Sequence, residues 1–384
     1  MAGGEKTNAY RVLGRILIVL LVFTAVAAVG FIYARNTVEQ QMSAAQQQRD
    51  QQNAELEAQY NERANEQREA AANTPDEPNW PQPKQEGWDI VDLTNYNLKA
   101  VRTEEFEREA LEAGGLMLIN RWHYLPSDFN DERFENSDEL VSVVTASRAN
   151  GNQIQASDNR VRLLKPAFDA LYEMLDAARQ SGVEYYYVVE GYRTYESQEE
   201  SFLKEQAKWE NRFTGEVLIE KAREQVNIPG TSEFQTGLSF RIRRNKPQDK
   251  EFNSVKFTET EQSSWLINNS WEYGIVFRFP VSGYPAESTT DKSWKTGEKK
   301  SLMIYRYVGK AAATVMHIQD FCLEEFIEYM TSHPHIAVYK DGQLKYELYR
   351  TQDTGGSATV SVTANAEATA SIDNMGGIIV SLAY

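Results

Sequence analysis

The chain has one cysteine, Cys322, among 384 residues, so no intramolecular disulfide can brace it. Within Asp320-Phe321-Cys322-Leu323 that thiol reads as a small buried hydrophobe rather than a reactive group. Histidine is nearly as scarce, with four residues at positions 123, 317, 333 and 335. Positive charge is in deficit: 40 Lys and Arg face 56 Asp and Glu, for a net charge of −16. That excludes the basic footprint on which nucleic-acid binding depends. Acidity alone bears on solubility and names no partner. Long uncharged apolar runs are also missing, except for one from Ile16 to Ala34.

That run approaches the roughly 20 residues a helix needs to cross a bilayer core. Lys6, Arg11 and Arg15 precede it, which places residues 1–15 in the cytoplasm and the remainder outside. A signal peptide cleaved near Ala27-Ala28 is the competing reading, but the apolar run continues past those small residues. Residues 35–73 are rich in Gln, Glu, Ala and Arg and contain neither Pro nor Gly, so a polar helical stalk is expected. Val38, Met42, Ala45 and Leu56 sketch a heptad seam that Arg49 and Gln52 interrupt. Self-association through the stalk is therefore expected to be weak. Residues 74–87 carry four prolines among polar residues and read as an extended linker.

A globular domain over 88–350 follows, with a small β appendage over 351–384. Helical apolar spacing covers Val161–Ala178, through Leu164, Phe168, Leu171 and Leu175. Helices are also expected at Tyr195–Trp209, Glu259–Trp271 and Ile318–Met330. Strands are expected at Val183–Val189, Leu238–Ile242, Ile275–Phe279 and Met303–Tyr307. Ile336–Tyr339 and Leu344–Tyr349 flank Asp341-Gly342, a hairpin signal. In the tail, Thr359–Val362 and Gly377–Leu382 read as short strands. Helices and strands mix without strict alternation, which predicts an α+β fold.

Four segments, in order, resemble the VanY-type D-alanyl-D-alanine carboxypeptidases, zinc enzymes that trim the terminal D-alanine from peptidoglycan stem peptides. Glu190-Gly191-Tyr192-Arg193-Thr194, followed by Gln198, is similar to Ser-Gly-Tyr-Arg-Ser and its downstream Gln. Pro229 through Arg241 resembles Pro-Gly-x-Ser-Glu-His-Gln-Thr-Gly-Leu-Ala-x-Asp. Trp265-Leu266, Tyr273-Gly274 and Arg278-Phe279-Pro280 resemble Trp-Leu, Tyr-Gly-Phe and Arg-Tyr-Pro. Ser301 through Gly309 is similar to Glu-Pro-Trp-His-x-Arg-Tyr-Val-Gly. The likeness extends to Leu118–Pro126 upstream and to Asp373-Asn374-Met375-Gly376-Gly377 in the tail. It implies a small antiparallel sheet with helices packed on it, in the cell-wall space.

Zinc hydrolysis of an amide needs imidazole and carboxylate ligands around an open coordination position, and a base for the bound water. In the resembled family a His and an Asp seven residues apart, with the His of Glu-x-x-His, hold the metal, and that Glu is the base. The matching positions here are Phe234, Arg241, Ile304 and Ser301. Phe and Ile have no lone pair, and Arg stays protonated. The resemblance therefore implies no zinc and no catalytic residue, and the four histidines, outside the motifs, read as structural. Arg193, Gln198 and Ser232 match positions that hold substrate in the family, and Arg241 would point where the metal sat.

The expected function is that of a membrane-anchored pseudoenzyme that binds peptidoglycan stem peptide or a cell-wall protein. An active peptidase with a non-standard site and a purely structural assembly domain are the alternatives.

Overall fold

The computed structural model describes residues 86–384 apart from 97, 99–100, 127–128, 130–137 and 301. The expected cytoplasmic segment, membrane helix, stalk and nearly all of the linker lie outside these residues, as does Ser301. Among the described residues no helix is long and apolar enough to cross a membrane.

Two five-stranded sheets organise the domain. The first runs Gln155–Ala156, Tyr186–Glu190, Ser239–Arg244, Ile304–Tyr307, Ile275–Phe277, antiparallel except for its first pair. The helix Lys165–Gln180 covers one face. Pro166 sits in its first turn, where a missing N–H costs nothing. Its residues Ala167, Phe168, Leu171, Met174, Leu175 and Ala178 are buried at helical spacing. They pack with Val188, Phe240, Ile242 and Tyr305 of the sheet into one core. The expected helix began too early, since Arg162–Leu164 is a strand paired with Leu140–Ser142.

The second sheet runs Trp88–Asp92, His335–Lys340, Gln343–Gln352, Gly377–Ala383, Glu367–Ile372 and is antiparallel throughout. Asp341 and Gly342 make its hairpin turn with φ of 48° and 76°, the left-handed pair that a tight hairpin demands. Residues 351–384 are expected as a small β appendage. Within that stretch Gly377–Ala383 lies inside this sheet, and Ala358–Thr363 pairs with Val101–Phe106. The helices Lys310–Gln319 and Leu323–Ser332 fill the space beside this sheet, where Ala313, Val315, Phe326 and Met330 meet Ile336 and Leu348. Asp320, at φ 57°, breaks the chain between them. Cys322 is buried at the head of the second helix, and burial pushes its thiol up.

Candidate functional site: an arginine pair around Phe234

The site forms where three segments of the first sheet meet. The strand Tyr186–Glu190 ends at Gly191, and a Cβ there would lie 2.4 Å from the Arg162 carbonyl oxygen. Only glycine lets the chain pass so close and deliver Arg193 to the cleft. The short helical turn Glu233–Thr236 is closed by Gly237 in the left-handed conformation, φ 69°. A backbone bond from the Arg193 N–H to the Phe234 carbonyl, 3.1 Å, ties the two loops together.

Phe234, Arg241 and Ile304 come together here. Arg241 stands opposite Ile304 across neighbouring strands. Phe234 and Ile304 are 5% and 3% exposed and pack with Phe279 and the half-buried Leu302 into a small apolar cluster. The guanidinium carbons of Arg241 and Arg193 each lie 5.6 Å from the Phe234 ring centroid, within the range of cation–π attraction. None of the three offers a lone pair to a metal, so these residues do not fit a zinc ion. Among the described residues no three His, Cys, Asp or Glu side chains gather as a metal-binding group.

One carboxylate serves both arginines. Glu190 is paired in register with Arg241. Its Oε1 accepts from Arg193 Nη2, and its Oε2 lies 3.5 Å from Arg241 Nη2. Arg193 Nη1 donates to Gln198 Oε1 at 2.8 Å. Gln198 is buried, and its amide nitrogen donates to the Asn227 carbonyl at 2.5 Å. Both ends of its amide are thus committed to the protein, and Gln198 positions Arg193. Ser232 is 3% exposed, at the head of the Phe234 turn. Burial and the neighbouring Arg241 charge pull the Arg193 guanidinium down, and burial does the same to Arg241. Burial pushes the Tyr284 phenol up to about 12 against the pull of the Arg241 charge.

Behind the cleft stands a buried ionic network that no motif spacing had suggested. Glu233 could have faced Arg241, but its Oε1 accepts from Arg278 Nε at 2.5 Å and its Oε2 from Arg306 Nη1 at 2.6 Å. Ser239 Oγ adds a hydrogen bond to Oε2 at 2.7 Å. Arg278 also grips Glu324, and Arg306 donates to the carbonyls of Gly115 and Met117. Two positive and two negative charges are all at most 5% exposed. Such a balanced, hydrogen-bonded set avoids the cost of an unpaired buried ion. Beyond Phe279 opens a cavity of about 210 Å³, lined among others by Arg121, Arg223, Thr231, Glu298 and Lys300.

The histidines lie in other contacts. His335 Nε2 is 2.7 Å from Glu347 Oε1, and His317 stacks on Trp271 at 4.4 Å. His333 stacks on Tyr329, and His123 Nδ1 is 2.8 Å from Asn120 Oδ1.

A family model described as D-alanyl-D-alanine carboxypeptidase (VanY) matches residues 160–296. The chain is 32% identical over 213 residues to the protein YodJ of Bacillus subtilis (strain 168), covering 56% of this chain and 67% of that one. It is 32% identical over 213 residues to a D-alanyl-D-alanine carboxypeptidase of Enterococcus faecalis, covering 55% and 65%. Among solved structures, the vancomycin-resistance D,D-dipeptidase VanXYg, in complex with a D-Ala-D-Ala phosphinate analog, aligns with a TM-score of 0.55. That alignment covers 74% of this chain and 99% of that one at 20% identity, a likeness of fold.

Proposed function

Because the chain belongs to the VanY family of D-alanyl-D-alanine carboxypeptidases, we propose that it is a membrane-anchored, extracytoplasmic member that binds a peptidoglycan stem peptide without cleaving it. The observation that carries this reading is the convergence of Phe234, Arg241 and Ile304, which replaces a metal-ligand set by an apolar cluster under a guanidinium. Without lone pairs at these positions there is nothing to fix a Lewis acid beside a scissile amide. Arg193 and Arg241 supply charge that suits a peptide carboxylate. Ser232 and Gln198 shape the walls, the latter by holding Arg193. The uncharged run Ile16–Ala34 supplies the anchor, and a family concerned with the cell wall supports a domain outside the membrane.

The test is a calorimetric titration of the full chain in detergent with a peptide ending in D-alanyl-D-alanine, followed by product analysis of the same sample. Saturable binding with the peptide recovered intact is expected. Chelator-sensitive release of D-alanine overturns the reading.

A further inference from the structure

We propose that the ligand's terminal carboxylate is anchored by Arg241, while Arg193 is held back from it by Glu190. This rests on the reading of the cleft as a non-hydrolytic peptide site and assigns the group that confers its specificity.

Hydrogen-bonding capacity decides between the two arginines. Arg193 has one terminal nitrogen on Glu190 and the other on Gln198. Both partners are themselves fixed, Glu190 at the end of a paired strand and Gln198 by its bond to Asn227. Both terminal nitrogens of Arg193 are therefore already engaged, one by an internal carboxylate and the other by an amide oxygen. Arg241 differs. Its contact with Glu190 is an ion pair at 3.5 Å, too long for a hydrogen bond. Its Nε is enclosed and has no hydrogen-bond partner. Its side chain nonetheless keeps 38% of its surface exposed, so a ligand can reach it.

Charge leads the same way. Two guanidinium groups share one carboxylate, so this cluster is one negative charge short. The Glu233 network nearby cannot make up the difference, since it is balanced within itself. A single carboxylate completes the set, and a guanidinium fork receives it best in a bidentate pair. Tyr284, whose phenol feels the Arg241 charge, stays protonated at neutral pH and so adds no negative charge to the cluster. The ligand class is thus a peptide with a free C-terminal carboxylate. Arg241 and Glu190 work as a pair: the first presents a charge and the second stops Arg193 from competing for it.

The experiment compares the full-length protein in detergent with its Arg241→Gln, Arg241→Lys and Glu190→Gln variants. The probes are a stem peptide ending in D-alanyl-D-alanine and the same peptide with a C-terminal carboxamide. Circular dichroism and thermal melting check that each variant keeps its fold. For the wild type, the carboxamide should bind about 10- to 100-fold more weakly, the loss expected for one charge-assisted hydrogen-bonded pair. Arg241→Gln should erase that difference and Arg241→Lys should restore part of it. Glu190→Gln, which removes the competing carboxylate, should tighten binding of the free acid and leave the carboxamide unchanged. Peptide binding that ignores Arg241 in a folded variant overturns this inference alone. Failure of the wild type to bind either peptide overturns it together with the reading of the cleft.

Discussion

Arg278 and Glu324 face each other fork to fork, Nη1 to Oε2 at 2.9 Å and Nη2 to Oε1 at 2.8 Å, in a place almost wholly closed to water. The pair links the Arg278-Phe279-Pro280 stretch to the helix Leu323–Ser332, and through Glu233 it reaches the turn that carries Phe234. The apolar cluster and the two half-buried arginines thus stand on an ionic footing shared by distant parts of the chain.

Removing one member of that footing leaves a buried charge without compensation. Arg278→Met should lower stability by about 3–5 kcal/mol, read as a shift in the urea midpoint. Arg278→Met combined with Glu324→Leu should cost less than Arg278→Met alone, because the orphaned carboxylate goes with it. Equal losses in the two proteins would show that Arg278 contributes by packing and not by charge.

The network also fixes a direction for acid sensitivity. Burial alone would raise the Glu233 carboxyl, but Arg306, Arg278 and the Ser239 hydroxyl hold it below the usual range. A lowered carboxyl stabilises the fold above its unfolded value, about pH 4.3, and that stability drains away as pH falls through the folded value. Urea midpoints should therefore drop steeply on the acid side. Glu233→Gln should be less stable at neutral pH and show a shallower acid limb. Parallel limbs in the two proteins would remove Glu233 from the account.

If Phe234, Arg241 and Ile304 occupy a metal site in outline, restoring donors should restore binding. The triple variant Phe234→His, Arg241→Asp, Ile304→His should bind zinc, measured by elemental analysis after dialysis, whereas the natural sequence should bind none at this position. A folded triple variant that stays free of metal would mean that these backbone positions no longer converge suitably. Stoichiometric zinc on the natural sequence would overturn the proposed function.

Topology is testable without purification. Protease added to intact cells or spheroplasts should digest the domain that begins near Trp88 and spare a tag placed at the N-terminus. A protected domain reverses the orientation. A domain released as a soluble protein favours a cleaved leader ending near Ala27-Ala28.

Motif order in the sequence singled out Arg193, Phe234, Arg241 and Ile304, and short β-rich runs marked four of the five strands of the first sheet. The helix Lys310–Gln319 was missed for a physical reason. Residues Ala311 through Met316 are buried on every side, so the apolar pattern has no polar face to reveal its period. The strand Glu367–Ile372 was missed because Glu367, Ala368 and Ala370 weaken its β signal, and its place comes from the neighbour Gly377–Ala383. The Glu233 network was illegible because its members lie 45, 46 and 73 residues apart. The sharing of Glu190 between two arginines needed the register of Tyr186–Glu190 against Ser239–Arg244.

The strand Trp88–Asp92 borders the second sheet and not the one that carries the arginine cleft. A tug along the polypeptide from before Trp88 would enter the domain through five residues laid against Ile336–Lys340. That seam would take up the strain first, while the cleft residues on the other sheet kept their spacing. Under the proposed anchoring and binding, force would arrive on one sheet and recognition would be carried by the other.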